Sequence, residues 1–467
     1  MYRFRSTEKL LSQPFQELEN QEIYFASPEE LNDPVEGFKN LFWHGDDIVW
    51  KNLIKHYIFC LTHICKIYFT VGTDVEIASN KIPVFANIPE ESDEIFNEII
   101  LLFFESSIAA SWPNSLALSK NPISRYELST YLMGIHAYAL KTIFTILVKH
   151  KIISDWPPST DKLRTMQPQD IVGLGINQLK SDSDFCQLIE HWYAFDDLIK
   201  FHNTQETTIN ITALNNRRFV FGRYPFIYLT ELEKIVHGNW YTATFADNPH
   251  NASMWGHYAD SHRGVCLRFK TNSRNSQPTL TLSCVTGTEV NKKRFRHTWS
   301  DTELNFHQIK YTESYPEINF FKSLGVLPGL TVSGTWLFDD KRKSAHAQTY
   351  FDEGDDWRKD YWRTRTLLLS TKLADWAYEK EHRLILMPQM LDLSGVSERK
   401  LKYQFNSLEA VIFGLRTTEK DKLEIIKIIE KKCQKEKRQE FKFYQAFYSE
   451  KKGIIDTFEI PVRFDLL

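Results

Sequence analysis

The spacing of apolar and polar residues divides this chain into a β-rich start, a long helical middle and a β-rich end. Residues 2–5 and 22–26 read as strands around a helical stretch over 8–18. Ser27, Pro28 and Glu30 read as a capped helical turn, since a serine hydroxyl accepts from first-turn amides and the fixed φ of proline suits the first helical position. The chain then turns at Asn32-Asp33-Pro34. From Gly45 onward apolar residues recur three and four apart, predicting helices over 48–68, 91–109, 125–151 and 182–202. The pattern returns to β over 217–221 and 240–245. Residues 253–261 read as a short helix or turn, Gly264 as a break, and 265–269 as a buried strand with Val265, Leu267 and Phe269 on one face. Residues 271–305 read as loop-rich. Helices over 336–343, 357–369 and 419–437 and strands over 381–387, 410–413 and 442–446 complete the reading.

A chain of 467 residues exceeds one ordinary core, and the helical stretch 39–237 lies between β-rich parts, so one domain (1–38 and 238–467) carrying an inserted helical module is expected. With 57 Lys plus Arg against 60 Asp plus Glu, net charge draws the chain to neither nucleic acid nor membrane. The six cysteines (Cys60, Cys65, Cys186, Cys266, Cys284, Cys433) form no C-x-x-C pair and fit reduced thiols. The start lacks an apolar signal core and no apolar run reads as long enough to span a bilayer, so a cytoplasmic location without membrane partners is expected. The 33 Phe, 20 Tyr and 12 Trp serve a core and also supply stacking groups for a base or nicotinamide.

Candidate chemistry concentrates in three places. Residues two apart on a strand share a face, so Glu379, Glu381 and Arg383 are expected along one side of a strand that is not core, as an edge-strand salt-bridge ladder or as a catalytic carboxylate pair. Arg3 and Arg5 share a face likewise, either to present guanidinium groups to a diphosphate or an adenine-side ribose or to pair with Glu or Asp on neighbouring strands. The block 253–262 packs Trp255, His257, Tyr258 and His262 together. His257 and His262 are five apart, a poor spacing for a helical zinc pair, and no metal is expected. Cys266 lies within an apolar strand, where a thiol is inert. There is no phosphate-binding glycine loop, nucleophile elbow or dinucleotide fingerprint.

Four blocks resemble, in order, the signature of a bacterial family, domain of unknown function 2971 (DUF2971): Tyr2-Arg3-Phe4-Arg5; Tyr24-Phe25-Ala26-Ser27-Pro28 with Asn32-Asp33-Pro34; Met254-Trp255-Gly256-His257-Tyr258-Ala259 with His262-Arg263-Gly264-Val265-Cys266; and Trp376-Ala377-Tyr378-Glu379-Lys380-Glu381-His382-Arg383. Residues 39–237 carry none of them. The family in turn resembles the ADP-ribosyltransferase-like superfamily, which implies an α+β fold with a split mixed β-sheet, here interrupted by the helical insertion, and an NAD-consuming enzyme of anti-phage defence. NAD would be the substrate. By that resemblance Glu381 is the principal catalytic carboxylate and Glu379 its helper, with Tyr258 and His257 beside them. Arg3, Arg5, Tyr24, Ser27, Asn32, Trp255, His262 and Arg383 would bind NAD, Tyr24 and Ser27 clamping the nicotinamide. Because nicotinamide leaves as an already cationic group, the site needs a carboxylate for the developing oxocarbenium charge and no acid. The acceptor would be a protein or nucleic acid, and the insertion would bind a partner protein or cover the site. The rival readings are a metal-dependent nuclease or hydrolase using His257, His262, Glu379 and Glu381, and a non-catalytic sensor or scaffold.

Overall fold

The structure, a computed structural model, describes residues 1–38, 40–72, 74–88, 93–157, 160–167, 187, 190, 210–236, 238–274, 277–291, 294–340, 342–351, 354–387, 393 and 395–464. The expected helix over 182–202, apart from positions 187 and 190, lies outside the described residues, as do Gly173-Leu174-Gly175 and Cys186. The fold is mixed α+β, in two compact units. The first comprises Met1–Phe38, Asn239–Tyr315 and Arg365–Leu467; the second comprises Lys39–Gly238 and Pro316–Thr364. The second unit therefore takes up residues 316–364 in addition to the insertion read from the sequence.

The first unit is organised by one large sheet. Its main strands are β1 (Tyr2–Arg5), β2 (Glu22–Tyr24), β3 (Tyr241–Ala246), β4 (Val265–Phe269), β5 (Gln277–Asn291), β6 (Arg294–Gln308), β7 (Glu381–Leu386), β8 (Lys400–Tyr403), β9 (Leu408–Phe413), β10 (Lys442–Ser449) and β11 (Ile454–Ile460). They lie in the order β11-β10-β9-β4-β1-β3-β7-β6-β5-β8-β2. The β9–β10 pair is parallel and β4 pairs antiparallel with β1, so the sheet is mixed. Alternation in β4 distributes its side chains as expected: Val265, Leu267 and Phe269 join one buried cluster and Cys266 another. Both faces of the strand are thus covered, which explains its near-continuous apolar run.

The sheet forks between β1 and β3. β1 pairs with β4 along its whole length, from Tyr2↔Arg268 to Arg5↔Val265, yet meets β3 only at Tyr2↔Ala246. β3 turns to β7, with which it makes six register pairs from Glu381↔Ala246 to Leu386↔Tyr241. On its other side β3 exchanges two 2.8 Å backbone hydrogen bonds with Ala26, just beyond β2. The strands β3-β7-β6-β5-β8-β2 therefore close a hydrogen-bonded circuit, leaving the start of the chain along the fork.

Several expected elements differ. The stretch 8–18 is two short helices, Thr7–Leu11 and Glu17–Asn20, because Pro14 has no amide to continue the first. Residues 271–305 are mostly the β5–β6 hairpin rather than loop, its Thr and Val residues suiting a pleated surface better than the polar composition suggests. Residues 217–221 end the Ile211–Arg218 helix and enter a π-helical turn, Phe219–Arg223; so short an apolar run does not separate strand from buried helix. Instead of a helix over 336–343, a π-helical turn, Val332–Leu337, leads into a tight hairpin with Asp340 at φ 52°. The helix expected over 91–109 breaks into Glu94–Phe104 and Ser107–Ala117, the Ser106 hydroxyl capping the second. In the second unit Asp47–Thr70 and Arg125–Lys149 form as expected. Contrary to the reading of apolar runs, Arg125–Lys149 is long and apolar enough to cross a membrane; 67% of its most apolar window is nevertheless buried in protein, as in a core helix.

Candidate active site

A cavity of about 610 Å³ opens where β1 and β3 part, lined by residues of both strands, of β2 and its following turn, and of β7. Its charged residues form two groups that share no ion pair among the described residues. The first is carboxylate-centred. Its backbone differs from the single strand face expected, because Glu379 ends a 3₁₀ helix (Ala374–Glu379), Lys380 adopts a left-handed conformation (φ 45°), and β7 begins only at Glu381. The two carboxylates converge regardless. Lys372, in the short Thr371–Leu373 strand, lies 2.8 Å from Glu379 Oε2 and 3.6 Å from Glu381 Oε2. Arg383 donates through Nε (2.7 Å) and Nη2 (3.2 Å) to Glu381 and grips Glu36 with two 2.8 Å bonds.

The sequence reading held that this face is not core, and burial contradicts it: Lys372 and Glu379 are 2% exposed, Glu381 3% and Arg383 0%. Charges so deep persist only when paired and hydrogen-bonded, and here each cation meets two carboxylates. Burial raises the affinity of Glu381 for a proton, but Arg383 and then Lys372 outweigh it and hold the carboxyl below its ordinary range. Burial lowers the Arg383 guanidinium, yet Glu381 and Glu36 more than reverse this. Tyr258 donates to Glu379 and accepts a 2.8 Å bond from Asn32. Burial and the Glu379 charge push its phenol well above the usual tyrosine range, so it acts as a neutral donor.

The second group is mixed in charge: Arg3, Arg5, Lys9 and Lys400 line the cavity together with Glu17, Glu22 and Glu30. Arg5 is bound to Glu17 through both Nε and Nη2. Arg3, 5% exposed, lies over the Phe245 ring and donates through Nη2 to the Tyr24 carbonyl, while its buried Nη1 meets no acceptor. Burial and Arg5 pull it down to about 9, still cationic at neutral pH. Burial, then Arg5, lowers Lys9 in the same direction. Tyr24 lines the cavity too, its hydroxyl held by Glu30 and its ring covered by Arg399 at 5.2 Å.

Of the residues singled out in the sequence, Arg3, Arg5, Tyr24, Asn32, Tyr258, Glu381 and Arg383 line this cavity, and Glu379 lies directly behind Tyr258. Ser27, Trp255, His257 and His262 do not. Ser27 stands at the cap of the Pro28–Glu30 turn, its amide donating to Glu30 Oε2. Trp255 is a core residue, fully buried edge-on against Phe4 at 5.1 Å with its Nε1 donating to the Pro249 carbonyl. His257 is exposed, and its ring meets the Tyr378 hydroxyl at 3.3 Å. His262 closes three successive left-handed residues, Asp260, Ser261 and His262 (φ 46°, 50°, 70°), that return the chain to β4; its amide donates to the Trp255 carbonyl. That return ends at Gly264, where a Cβ would stand 2.2 Å from the Arg5 carbonyl oxygen. The block 253–264 thus carries one cavity residue, Tyr258, on a scaffold otherwise shaped to place β1 against β4.

Lys372, Glu36, Lys9 and Lys400 escaped the sequence reading. A lone lysine between Thr371 and Leu373 was the available signal for the first. Glu36 follows the Asn-Asp-Pro turn, and only the fold shows that it meets Arg383. Among the described residues no group of three or more His, Cys, Asp or Glu is arranged to hold a metal ion.

Residues 254–384 match the model of a family described as Protein of unknown function (DUF2971). The resemblance read from the blocks around Trp255 and Glu381 therefore holds over that span. No curated protein matches the chain, and no solved structure does.

Proposed function

We propose that the protein is an intracellular NAD-consuming enzyme of the ADP-ribosyltransferase or NAD glycohydrolase type, acting in anti-phage defence, with Glu381 as its catalytic carboxylate. The observation that carries this reading is Glu381 itself, a buried carboxylate held ionised by two cations and bordering a cavity that also presents Arg3, Arg5, Lys9 and Lys400. NAD has the matching polarity, with a ribose that becomes cationic at one end of its nicotinamide bond and a diphosphate further along. The cavity volume falls within the range of roughly 300–1,000 Å³ usual for small-molecule sites. We read the forked mixed sheet as the split sheet of the ADP-ribosyltransferase-like superfamily.

In this mechanism Glu381 faces the nicotinamide ribose and stabilises positive charge at C1′ as the C1′–N bond breaks, the bonding pair leaving with nicotinamide. Water or an acceptor nucleophile forms the new bond to C1′ and gives up its proton towards the Tyr258–Glu379 hydrogen bond, Glu379 being the final base. Arg3, Arg5, Lys9 and Lys400 bind the diphosphate, and Tyr24 and Asn32 border the nicotinamide side. The rival metal-dependent hydrolase has no supporting donor group among the described residues.

The test is to incubate the purified protein with NAD and measure free nicotinamide. Glu381→Gln is expected to lower turnover at least a hundredfold, on the order of 3 kcal/mol, with NAD affinity nearly kept. Because Glu381 is half of a buried ion pair, the variant is also expected to melt lower, so both proteins are compared at a temperature where each is folded. A wild-type protein that releases no nicotinamide, or a folded Gln variant with undiminished turnover, overturns the reading.

A further inference from the structure

We infer that Lys372 is a positioning residue, whose ammonium allows Glu379 and Glu381 to be ionised side by side and keeps Glu381 directed into the cavity. The inference rests on the proposed activity for its kinetic consequence but not for its electrostatic one. Its basis is geometric. Lys372 is buried, is 2.8 Å from one carboxylate and 3.6 Å from the other, and lies over the Trp376 ring at 4.4 Å. Further titratable groups face this pair, among them Tyr378, whose phenol pKa is raised by burial and then by the Glu379 charge. Arg383 pairs with Glu381 but makes no ion pair with Glu379, and Glu36 occupies the other edge of that guanidinium. Tyr258 donates to Glu379, the Tyr311 hydroxyl accepts from the Glu381 amide, and His382, its affinity for a proton lowered by burial, follows in β7. Lys372 is thus the one described cation paired with both carboxylates. Without it, two buried like charges are left with one cation paired to one of them, and the cheapest relief is for one carboxyl to take up a proton.

That expectation fixes the sign of the pH response. In Lys372→Met a carboxyl acquires a folded-state pKa above its unfolded value, so the folded protein binds the extra proton. Stability relative to wild type is then nearly kept near the unfolded carboxyl pKa of about 4.3 and lost as pH rises through the raised one. If the proton falls on Glu381, turnover fails in its protonated form, and the acid limb of the pH–rate profile moves upward.

The experiment compares wild type, Lys372→Met, Lys372→Arg and the double variant Lys372→Met/Glu379→Gln by melting temperature and nicotinamide release between about pH 5 and pH 9. The Met variant is expected to lose at least tenfold in rate near pH 6 and to recover most of it near pH 9, with Lys372→Arg close to wild type. Its melting deficit should widen as pH rises, and the double variant should melt higher than Lys372→Met alone, because it removes the uncompensated charge. The melting arm is read whether or not NAD is turned over, so failure of the NAD reading and failure of this one are distinguishable. A pH-independent deficit, or a double variant less stable than the single, overturns the inference. If Lys372→Met does not fold, the double variant and Lys372→Arg carry the test: charge compensation requires both to fold, and a double variant that also fails counts against it.

Discussion

Two buried polar networks in this protein invite comparison, one in each unit. In the first unit Lys372, Glu379, Glu381, Arg383 and Glu36 are charged, tightly paired and adjacent to a cavity. In the second, His56 Nδ1 lies 2.8 Å from the Tyr228 hydroxyl and His136 Nδ1 2.7 Å from the Tyr57 hydroxyl, while each Nε2 faces a carbonyl, Val84 or Val220. A carbonyl only accepts, so both histidines carry their proton on Nε2 and both tyrosines donate to Nδ1. Burial drives His56 down to about 3 and His136 to about 4 and, with smaller contributions from neighbouring groups, raises both phenols well above the usual range. Large shifts therefore occur in a sealed core whose groups are neutral and satisfied. What distinguishes the first network is ionisation against the cost of burial, together with access to open volume.

The comparison predicts different costs of disruption. Arg383→Met removes a cation gripped by two carboxylates and leaves Glu36, Glu379 and Glu381 to Lys372 alone. The expected loss is about 3–5 kcal/mol of stability, the usual cost of breaking a buried ion pair. It should be larger near pH 8 than near pH 5, since protonation of a stranded carboxyl relieves it. Hydrogen exchange in β7 and β3, followed against pH, reads the loss where it arises. A loss below about 1 kcal/mol, as at an exposed pair, would show that the network is solvated and would remove the distinction between the two regions.

The neutral network of the second unit should respond to acid. His56 and His136 have folded pKa values depressed below the unfolded value, so stability is complete above about pH 6.5 and is lost as pH falls towards their folded values of about 3 and about 4. The slope is roughly 1 kcal/mol per histidine per pH unit below 6.5, before either group titrates in the folded protein. Exchange protection in the Asp47–Thr70 and Arg125–Lys149 helices should therefore fall between about pH 6.5 and pH 4.5. Replacing both histidines with glutamine should flatten that dependence. A dependence unchanged in the double variant would place the acid-sensitive groups elsewhere.

How much of this was legible in the sequence depended on the range of the interactions involved. Strand β4 was read correctly because alternation and the Gly264 break are local, and so were helices with long apolar periodicity such as Asp47–Thr70. Arg3, Arg5, Tyr24, Asn32, Tyr258, Glu381 and Arg383 reach one cavity because β1, the end of β2 and β7 all meet β3. No spacing in the chain encodes that meeting. The Glu379–Glu381 face was expected from strand alternation, yet a left-handed Lys380 separates the two carboxylates and a lysine seven residues before Glu379 reunites them. Trp255, His257 and His262 were grouped because they are close in sequence, but a helix followed by three left-handed residues points such neighbours in different directions.

His257 gives the smallest expected effect and the sharpest check on that last point. It lies one residue before Tyr258, yet the short Ala252–Tyr258 helix turns successive side chains by about 100°, so the two point to different surroundings. Tyr258 borders the cavity and donates to Glu379; His257 is exposed, and its ring meets Tyr378 at 3.3 Å. One exposed contact of that length contributes little, so His257→Ala should change stability by no more than about 0.5 kcal/mol, with nicotinamide release unchanged. Tyr258→Phe in the same assay leaves Asn32 without its acceptor and Glu379 without its phenol donor, and it should slow turnover. The outcome that would reverse the assignment is a His257→Ala protein that folds normally and loses activity while Tyr258→Phe keeps it. That result would place the chemistry on the exposed side of the Ala252–Tyr258 helix instead of in the fork of the sheet.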